Sequence, residues 1–179
     1  AAEQYTLSYA REKNIPYAII RPFNVYGPYR SGSNAMTAFI EKALNGDEIL
    51  ISGDGSQRRA WCHISDFING IVEATITQAG INETFNIGNP SEEFSILELA
   101  KTIVRLSNSR SLITVTHSCT EDVLSRSPNI DKARKILGFQ PSVALEEGVI
   151  DTIRWIVSEK ERGEYAEQVS ERPRKKILA

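Results

Sequence analysis

Short apolar segments with strand character alternate with segments of helical periodicity along most of the chain. The strand-like segments lie near residues 16–20, 48–52, 58–64, 84–88 and 112–116, and the helical ones near 1–14, 34–44, 67–74, 95–104, 131–137 and 145–156. This alternation predicts an α/β protein with helices packed on sheets. Such sheets place their ligand loops beyond the carboxyl ends of strands, so we expect functional side chains directly after strands.

Capping residues predict where several helices begin and end. Ser95 and Glu98 have the spacing of a capping box, and Ser65 with Asp66 is expected to begin the helix before it. The pair at residues 45–46, Asn then Gly, and the glycine at position 138 are expected to end two others, because these residues adopt the left-handed conformation of a helix C-terminus.

The composition excludes several classes of function. Lys and Arg number 21 against 23 Asp and Glu, a net charge of −2, so no overall positive field attracts nucleic acid or an acidic membrane. No apolar run approaches the roughly 20 residues that span a bilayer, and the first residues lack the features of a signal peptide. We therefore expect a cytoplasmic globular protein that holds any anionic ligand through local contacts.

Cysteine and histidine are too few and too scattered to predict a metal centre. Cys62 and Cys119 show no CxxC spacing and are interpreted as buried or idle thiols, not as a disulfide framework. His63 and His117 are the only histidines, so no metal site is expected.

Three polar segments follow predicted strands, at residues 21–28, 57–59 and 122–126. They contain Asn24, whose amide both donates and accepts hydrogen bonds, and Arg59 and Arg126, whose planar guanidinium groups suit phosphate oxygens. Brought together, these three side chains have the chemistry to hold a diphosphate.

Simpler interpretations of the same residues stay open. Asn24 is also a good turn residue, and the arginines of these segments, Arg58 included, are equally typical of a solvent-facing surface. Tyr26 is interpreted as a half-buried aromatic of the first loop, and Trp61 as a core residue. Without any resemblance to a known family, the residues predict only a candidate anion site.

Five segments carry a resemblance that goes further: AAEQY (1–5), RPFNVYGP (21–28), GDGSQRRAWCHISD (53–66), FNIGNPSEEFSILELA (85–100) and DVLSRSPNIDKARKILGFQP (122–141). In this order they resemble the C-terminal half of the extended short-chain dehydrogenases that act on nucleotide sugars. That family comprises epimerases, 4,6-dehydratases and decarboxylases. The likeness runs in register from Ala1 to about Trp155.

The resemblance implies roles for five residues. Asn24 is expected to bond the nucleotide sugar near its diphosphate, with Arg59 and Arg126 clamping the diphosphate from two sides. Pro22 and Phe23 are expected near the nicotinamide end of NAD. Residues 35–39 and 49–51 are expected to line the nucleobase pocket.

Two positions depart from the family pattern. Many relatives have an acidic residue after the phosphate-binding arginine, whereas this chain has Ala60, so a partner that orients Arg59 is expected to be missing or replaced. Decarboxylase-like relatives have Arg-Lys-Pro in the late loop, whereas this chain has Arg-Ser-Pro at residues 126–128. We therefore assign no contact with a sugar carboxylate.

The resemblance also implies a domain organisation. Residues 1–32 are expected to be a remnant of the NAD-binding Rossmann domain, 33–165 mainly the substrate-binding lobe with some segments returning to the Rossmann sheet, and 166–179 a charged tail. The chain starts inside a helical pattern with no N-cap, so we expect the N-terminal Rossmann portion to precede it. The Gly-rich turn and the catalytic Ser or Thr, Tyr and Lys are expected there, and no catalytic residue is assigned in this chain.

The expected function is that of an NAD-dependent nucleotide-sugar epimerase or dehydratase. The enzyme would act through a 4-keto sugar, with a UDP-sugar as the favoured substrate and a homodimer as the favoured assembly, and this chain alone would be inactive. Three alternatives stay open: a UDP-glucuronate decarboxylase-like enzyme, a non-catalytic sugar-nucleotide-binding module, and a dimerisation module.

Overall fold

A computed structural model describes residues 1–29, 34–116 and 123–163 of the protein. The helices in these ranges are α1 (Ala2–Lys13), α2 (Ala35–Asn45), α3 (Ile64–Ile76), α4 (Ile96–Leu106), α5 (Asp131–Leu137) and α6 (Leu145–Glu161), with a 3-10 turn at Gln78–Gly80. The strands are β1 (Ala18–Pro22), β2 (Val25–Tyr26), β3 (Ile49–Ser52), β4 (Arg58–Ala60), β5 (Cys62–His63), β6 (Glu83–Ile87), β7 (Glu93–Ser95), β8 (Ile113–Thr116) and β9 (Ser125–Arg126). The predicted α/β class is confirmed. No helix within the described ranges is long and apolar enough to cross a membrane.

The parallel pair β1–β6 has a helix on each face. Ile20 of β1 lies opposite Phe85 of β6, and both belong to the side that packs against α3 and α5. Side chains alternate along a strand, so Arg21 points to the other face, where it binds Glu3 of α1 through two hydrogen bonds of 2.7 and 2.6 Å. α1 therefore covers one face of this pair and α3 the other.

The larger hydrophobic core lies among α2, α4, α6 and β3. Its fully buried side chains interdigitate between these elements, and they include Tyr26, Met36, Ile40, Ile49, Ile51, Leu99, Ile103, Leu145, Val149 and Ile156. Apolar residues at helical spacing on α4 and α6 and at alternate positions of β3 face this interior, as their periodicity predicts.

The remaining strands form three small sheets. β4 is the middle strand of a three-stranded sheet, antiparallel to β7 and parallel to β9. β2 pairs in parallel with β5, and β3 with β8. Because β2 lies within the first polar segment, residues 21–28, and β5 follows β4 after one residue, the β2–β5 pair holds that segment beside the three-stranded sheet.

The predicted capping residues agree with the structure at three helices. Ser95 and Glu98 form a complete capping box at the start of α4. Gly46 and Gly138 end α2 and α5 with φ of 75° and 70°, the left-handed conformation that the sequence predicts there.

The start of α3 differs from the prediction. α3 begins one residue before Ser65, and its N-cap is His63, whose Nδ1 accepts a hydrogen bond from the backbone N–H of Ser65 at 3.5 Å. Asp66 is buried and accepts hydrogen bonds from the backbone N–H groups of Ser142, at 3.1 Å, and Val143, at 3.0 Å. The local pattern missed this role because the partners lie 76 and 77 residues away.

Two further predictions near this region are corrected. The strand predicted over residues 58–64 is interrupted at Trp61, which lies in the core as expected and whose backbone N–H donates to the Glu92 carbonyl at 2.9 Å. Tyr26 is not a half-buried loop residue: it lies in β2 with 1% of its surface exposed. The β2–β5 pairing carries Tyr26 inward, and no local signal in the sequence predicts that pairing.

The domain boundaries at residues 32 and 165 stay predictions. β6, from the second predicted range, pairs with β1 from the first. The predicted tail at 166–179 lies outside the described residues, as do Cys119 and His117.

Candidate functional site

Arg59 and Arg126 occupy directly opposed positions on neighbouring strands. They are register partners in the parallel pair β4–β9, and Phe94 of β7 is the partner of Arg59 on the other side. Register partners project to the same face of a sheet, so the two arginines share a face. Like charges at opposed positions repel each other. An anion bound between the two guanidinium groups would attract both and offset this repulsion. Both lie on short strands: Arg59 lies within the strand predicted over residues 58–64, whereas the strand that carries Arg126 was not predicted.

Arg58 projects to the opposite face of β4. Its guanidinium lies 3.4 Å from the Glu93 carboxylate and 3.2 Å from that of Glu98. It also donates to the Glu93 carbonyl oxygen at 2.7 Å. The structure therefore separates the two adjacent arginines: Arg58 fastens β4 to β7 and α4, and Arg59 faces the candidate site.

Backbone carbonyl groups orient the Arg59 guanidinium. Its Nη1 donates to the carbonyl oxygens of Arg58, at 2.8 Å, and Val123, at 2.7 Å. Ala60, where relatives often have an acidic residue, is completely buried. The two carbonyl groups orient the Arg59 guanidinium through hydrogen bonds, which the methyl group of Ala60 cannot form. Asp122, the first residue of the predicted late loop, lies outside the described residues.

Asn24 is fastened to the strand that carries Arg59. Its backbone has a positive φ of 38°, and its Nδ2 donates to the Ala60 carbonyl oxygen at 3.0 Å. Its own carbonyl oxygen accepts from the backbone N–H of Cys62 at 3.3 Å. The side-chain partner is 36 residues away, so Asn24 does more than close its own turn. A side-chain amide NH₂ has two hydrogens. The second hydrogen of Asn24 Nδ2 and the side-chain oxygen Oδ1 are therefore available to a ligand.

The loop after Asn24 packs so closely that Gly27 is required. Gly27 has φ of 134°, and a Cβ built there would lie 2.5 Å from Ile64 Cγ2 and 3.1 Å from His63 Nε2. Both the backbone conformation and the space exclude a larger residue. The geometry that presents Asn24 therefore depends on this glycine.

Two groups beneath the loop are held in their neutral forms. Tyr26 donates its hydroxyl to the Leu145 carbonyl oxygen at 3.4 Å, and burial raises the pKa of this phenol. Burial also raises the pKa of the Cys62 thiol to about 12. Cys62 is a buried free thiol, as expected, and as a neutral thiol it is a poor nucleophile.

Pro22 and Phe23 lie where β1 ends. Pro22 is exposed and lines an open groove between β1 and the first two turns of α1, together with Glu3 and Thr6. The Phe23 backbone N–H donates to the Ile87 carbonyl oxygen at 3.1 Å. Their proposed nearness to the nicotinamide of NAD stays a prediction.

The predicted nucleobase segments contribute mostly to the core. Met36, Phe39, Ile49 and Ile51 are buried in the large hydrophobic cluster, so their side chains do not line an open pocket. Leu50, on the outer face of β3, is half exposed. The alternation of β3 explains this, because only every second residue of a strand faces outward.

A Tyr-x-x-x-Lys pair is present in α1, although the sequence analysis assigns no catalytic residue in this chain. Tyr9 and Lys13 have the Tyr-x-x-x-Lys spacing of the family's catalytic pair. Tyr9 is partly exposed and stacks on Tyr5 at 6.1 Å, and Lys13 pairs with the neighbouring Glu12. Glu3, near the start of α1, contacts Arg21, near the end of β1, so α1 runs antiparallel to β1. Lys13 therefore lies near the start of β1, whereas Asn24 follows its end. This pair is therefore at the wrong end of the strand for the candidate site.

The structure thus brings Asn24, Arg59 and Arg126 into one neighbourhood through β4. Asn24 binds the carbonyl next to Arg59, and Arg126 is the register partner of Arg59. Their role in binding stays a prediction. No group of three side chains suited to a metal lies within the part of the chain that the structure describes.

Comparison with known proteins gives the class of protein to which this fold belongs. Residues 1–88 match the family described as NAD dependent epimerase/dehydratase. The chain belongs to this family and has the α/β fold of part of an extended short-chain dehydrogenase. NAD is the cofactor of the family.

The relatives that the chain resembles are sugar-nucleotide enzymes. It is 36% identical over 162 residues to UDP-glucuronic acid decarboxylase 1 of Danio rerio, an alignment that covers 89% of this chain and 38% of the relative. Among solved structures it resembles UDP-glucuronic acid 4-epimerase from Bacillus cereus in complex with UDP-glucuronic acid and NAD. That match has a TM-score of 0.79 and 30% identity and covers 87% of this chain and 50% of that one.

A second solved structure, also of a sugar-nucleotide epimerase, matches a similar share of this chain. UDP-glucose 4-epimerase of Thermotoga maritima, with UDP-glucose, matches with a TM-score of 0.81 and 29% identity, over 88% of this chain and 51% of that one. The chain therefore spans about half the length of these solved relatives.

Proposed function

We propose that this chain provides the nucleotide-sugar-binding part of an NAD-dependent enzyme that works on a UDP-sugar through a 4-keto intermediate. The observation that carries the proposal is the opposed pair Arg59 and Arg126, with Asn24 fastened to the next residue of the same strand. Two guanidinium groups and an amide can bind a pyrophosphate through charge-assisted hydrogen bonds.

The site would act by positioning the substrate. Binding the diphosphate far from the reacting carbon fixes the sugar, so that binding energy is converted into orientation at C4. NAD, when bound, accepts hydride from the sugar. Pro22 and Phe23, at the carboxyl end of β1, offer an exposed ring and an apolar side chain for its nicotinamide end.

The acid–base residues of this proposal belong to sequence outside the chain. The Glu3–Arg21 contact brings the start of α1 beside the end of β1, so residues directly before Ala1 would lie close to Pro22. A Tyr and a Lys there would be near the sugar, whereas Tyr9 and Lys13 are not. We therefore propose that these 179 residues bind substrate and do not catalyse the reaction alone.

Titration calorimetry tests the binding half of this proposal. The chain should bind UDP and UDP-glucuronate, bind UMP more weakly, and bind uridine weakest of all, because each phosphate lost removes charge from the arginine pair. Equal affinity for UDP and uridine, or no binding of either, would contradict it.

The complete polypeptide encoded by the gene tests the catalytic half. Supplied with UDP-glucuronate and NAD⁺, it should convert the sugar, and the product distinguishes the open reactions. A UDP-pentose with CO₂ means decarboxylation, and a C4 epimer means epimerisation. Decarboxylation is kept as a second candidate because the Danio rerio relative is named as a decarboxylase. A complete polypeptide that binds UDP but converts no UDP-sugar would be a non-catalytic binding module.

A further inference from the structure

His63 lies in a buried position that the proposed function does not use. Only 7% of its surface is exposed, and it both ends β5 and serves as the N-cap of α3. Its Nδ1 faces Ser65, whose backbone N–H donates to it at 3.5 Å and whose hydroxyl oxygen lies 2.9 Å away. A backbone N–H can only donate, so Nδ1 accepts. The proton of the neutral ring is therefore on Nε2.

The Nε2 atom of His63 faces α6. It is buried, and Oδ2 of Asp151 lies 3.4 Å from it. Gly148, nearly one turn earlier on α6, lets the helix approach the ring, because a Cβ built there would lie 2.9 Å from His63 Cδ2. An N–H that faces a carboxylate is attracted to it, and this attraction fixes the orientation of the imidazole.

The same ring supports the loop that carries Asn24. His63 is the register partner of Tyr26 in the β2–β5 pair, and the two rings meet edge to face with their centres 5.5 Å apart. Gly27 passes so close to the imidazole that a Cβ built on it would lie 3.1 Å from Nε2. A change in the orientation of the ring would therefore alter the contacts of Tyr26 and Gly27, which follow Asn24 closely in the chain.

α6 follows this loop on both sides of Asp151. The Tyr26 hydroxyl donates to the Leu145 carbonyl oxygen at the start of α6, at 3.4 Å. One turn beyond Asp151, the ring of Trp155 contacts that of Tyr29, with 5.6 Å between ring centres. α6 therefore packs along the loop from residue 26 to residue 29, and the contact of Asp151 with His63 lies in the middle of this run.

We propose that His63 and Asp151 are positioning residues of the candidate nucleotide-sugar site: Asp151 orients the His63 ring, and the ring holds the loop so that Asn24 meets the substrate. The inference rests on the proposed function, because it states how the site of that function is held in place. The effect of both residues reaches the ligand through Asn24. Loss of Asp151 should therefore weaken UDP binding and loosen the loop, and leave the rest of the fold unchanged.

The test removes one carboxylate from each of two neighbouring turns of α6. Asp151→Ala removes the partner of His63, and Glu147→Ala is the control, because Glu147 is exposed and lies four residues earlier on the same helix. Both variants lose the same charge, so their long-range effects on a bound anion are similar. Asp151→Ala should raise the Kd for UDP at least about threefold above that of the control, near the lower end of what a lost hydrogen bond changes.

A conservative variant separates this role from a loss of stability. Asp151→Asn keeps an acceptor oxygen for the Nε2–H of His63, so its Kd for UDP should lie within about twofold of that of Glu147→Ala. Calorimetry also counts the binding sites. A variant that is only less folded would show fewer sites with the same Kd.

Amide hydrogen exchange tests the position of the loop without a ligand. The Cys62 backbone N–H donates to the Asn24 carbonyl oxygen, so its exchange rate reports whether the loop is in place. The Gly53 N–H, which donates to the last residue of β8, is the reference on another sheet. In Asp151→Ala the Cys62 N–H should exchange at least about threefold faster than in Glu147→Ala, and the Gly53 rates of the two variants should agree within about twofold.

Three results would overturn the proposal. The first is an equal exchange rate of the Cys62 N–H in Asp151→Ala and Glu147→Ala. The second is faster exchange in Asp151→Ala with a Kd for UDP equal to that of the control. The third is an Asp151→Asn variant that binds UDP as weakly as Asp151→Ala. If the unmodified chain binds no UDP, the proposed function fails, and the exchange comparison still decides whether Asp151 holds the loop.

Discussion

Replacing Arg126 by alanine should weaken UDP binding strongly. A hydrogen bond to a charged group contributes about 1.5–3 kcal/mol, which corresponds to a loss of affinity of about 10- to 150-fold. Arg126 is exposed and lies on the two-residue strand β9, so its removal should cost little stability. Isothermal titration of UDP into the unmodified chain and into Arg126→Ala gives the ratio of their dissociation constants. A thermal melt verifies that the variant is folded.

The matched control is Arg58→Ala. Arg58 is adjacent to Arg59 on the same strand, but it faces Glu93 and Glu98 on the opposite side of the sheet. Its loss removes the same charge within one residue of the site, so UDP affinity should change by less than about threefold. This small loss reflects long-range attraction, which salt screens.

Arg126→Lys refines the measurement. Lysine keeps the positive charge but cannot form the two parallel hydrogen bonds of a guanidinium. The UDP affinity of Arg126→Lys should therefore lie between those of the unmodified chain and Arg126→Ala. If Arg126→Ala binds UDP within twofold of the unmodified chain, or if Arg58→Ala loses as much affinity, the opposed arginine pair does not form the diphosphate site.

Three further predictions concern stability and reactivity. Ser95→Ala should destabilise the chain by about 1 kcal/mol in urea unfolding, because it removes the α4 cap; an unchanged free energy of unfolding would be contrary to the capping box. The hydrogen bonds from Ser95 lower the pKa of Glu98, so this carboxylate stabilises the fold above its unfolded pKa of about 4.5 and that contribution is lost as the pH falls through the lowered value. Ser95→Ala keeps the backbone N–H, which contributes most to this lowering, and removes only the hydroxyl contribution, so the variant should lose slightly less stability on acidification than the unmodified chain. Gly27→Ala should lower both the melting temperature and UDP affinity, because its Cβ would meet Ile64 at 2.5 Å; a variant with unchanged UDP affinity would show that Asn24 is positioned some other way. Cys62 should not react with a thiol reagent at pH 8 until the chain unfolds, and rapid labelling of the folded protein would contradict its raised pKa.

The sequence predicts the features that depend on local periodicity and capping. α1, α2, α4, α5 and α6 lie close to where helix propensity, apolar spacing and capping residues place them, and the capping box at Ser95 and Glu98 is complete. These signals are local, because a helix is stabilised within itself by its own caps and its i to i+4 neighbours. α3 was predicted to begin too late because its true N-cap is a histidine, a residue type that rarely signals a helix start.

The features that depend on pairing between distant strands could not be predicted from local pattern. Alternation along β4 places Arg58 and Arg59 on opposite faces, but only the pairing of β4 with β7 and β9 decides which of them shares a face with Arg126. The inward position of Tyr26 follows from the pairing of β2 with β5. The local pattern similarly leaves open whether Asn24 only closes a turn, because its hydrogen bond to the Ala60 carbonyl oxygen joins residues far apart in the sequence. A one-residue shift in any of these pairings would reverse the faces.

The position of the diphosphate is the most direct test of the account. A crystal structure of the complete polypeptide with UDP should show pyrophosphate oxygens within about 3.2 Å of guanidinium nitrogens of both Arg59 and Arg126, with the Asn24 amide also in contact. A pyrophosphate bound elsewhere, with the β4–β9 face empty, would contradict the claim that these three residues form the substrate site.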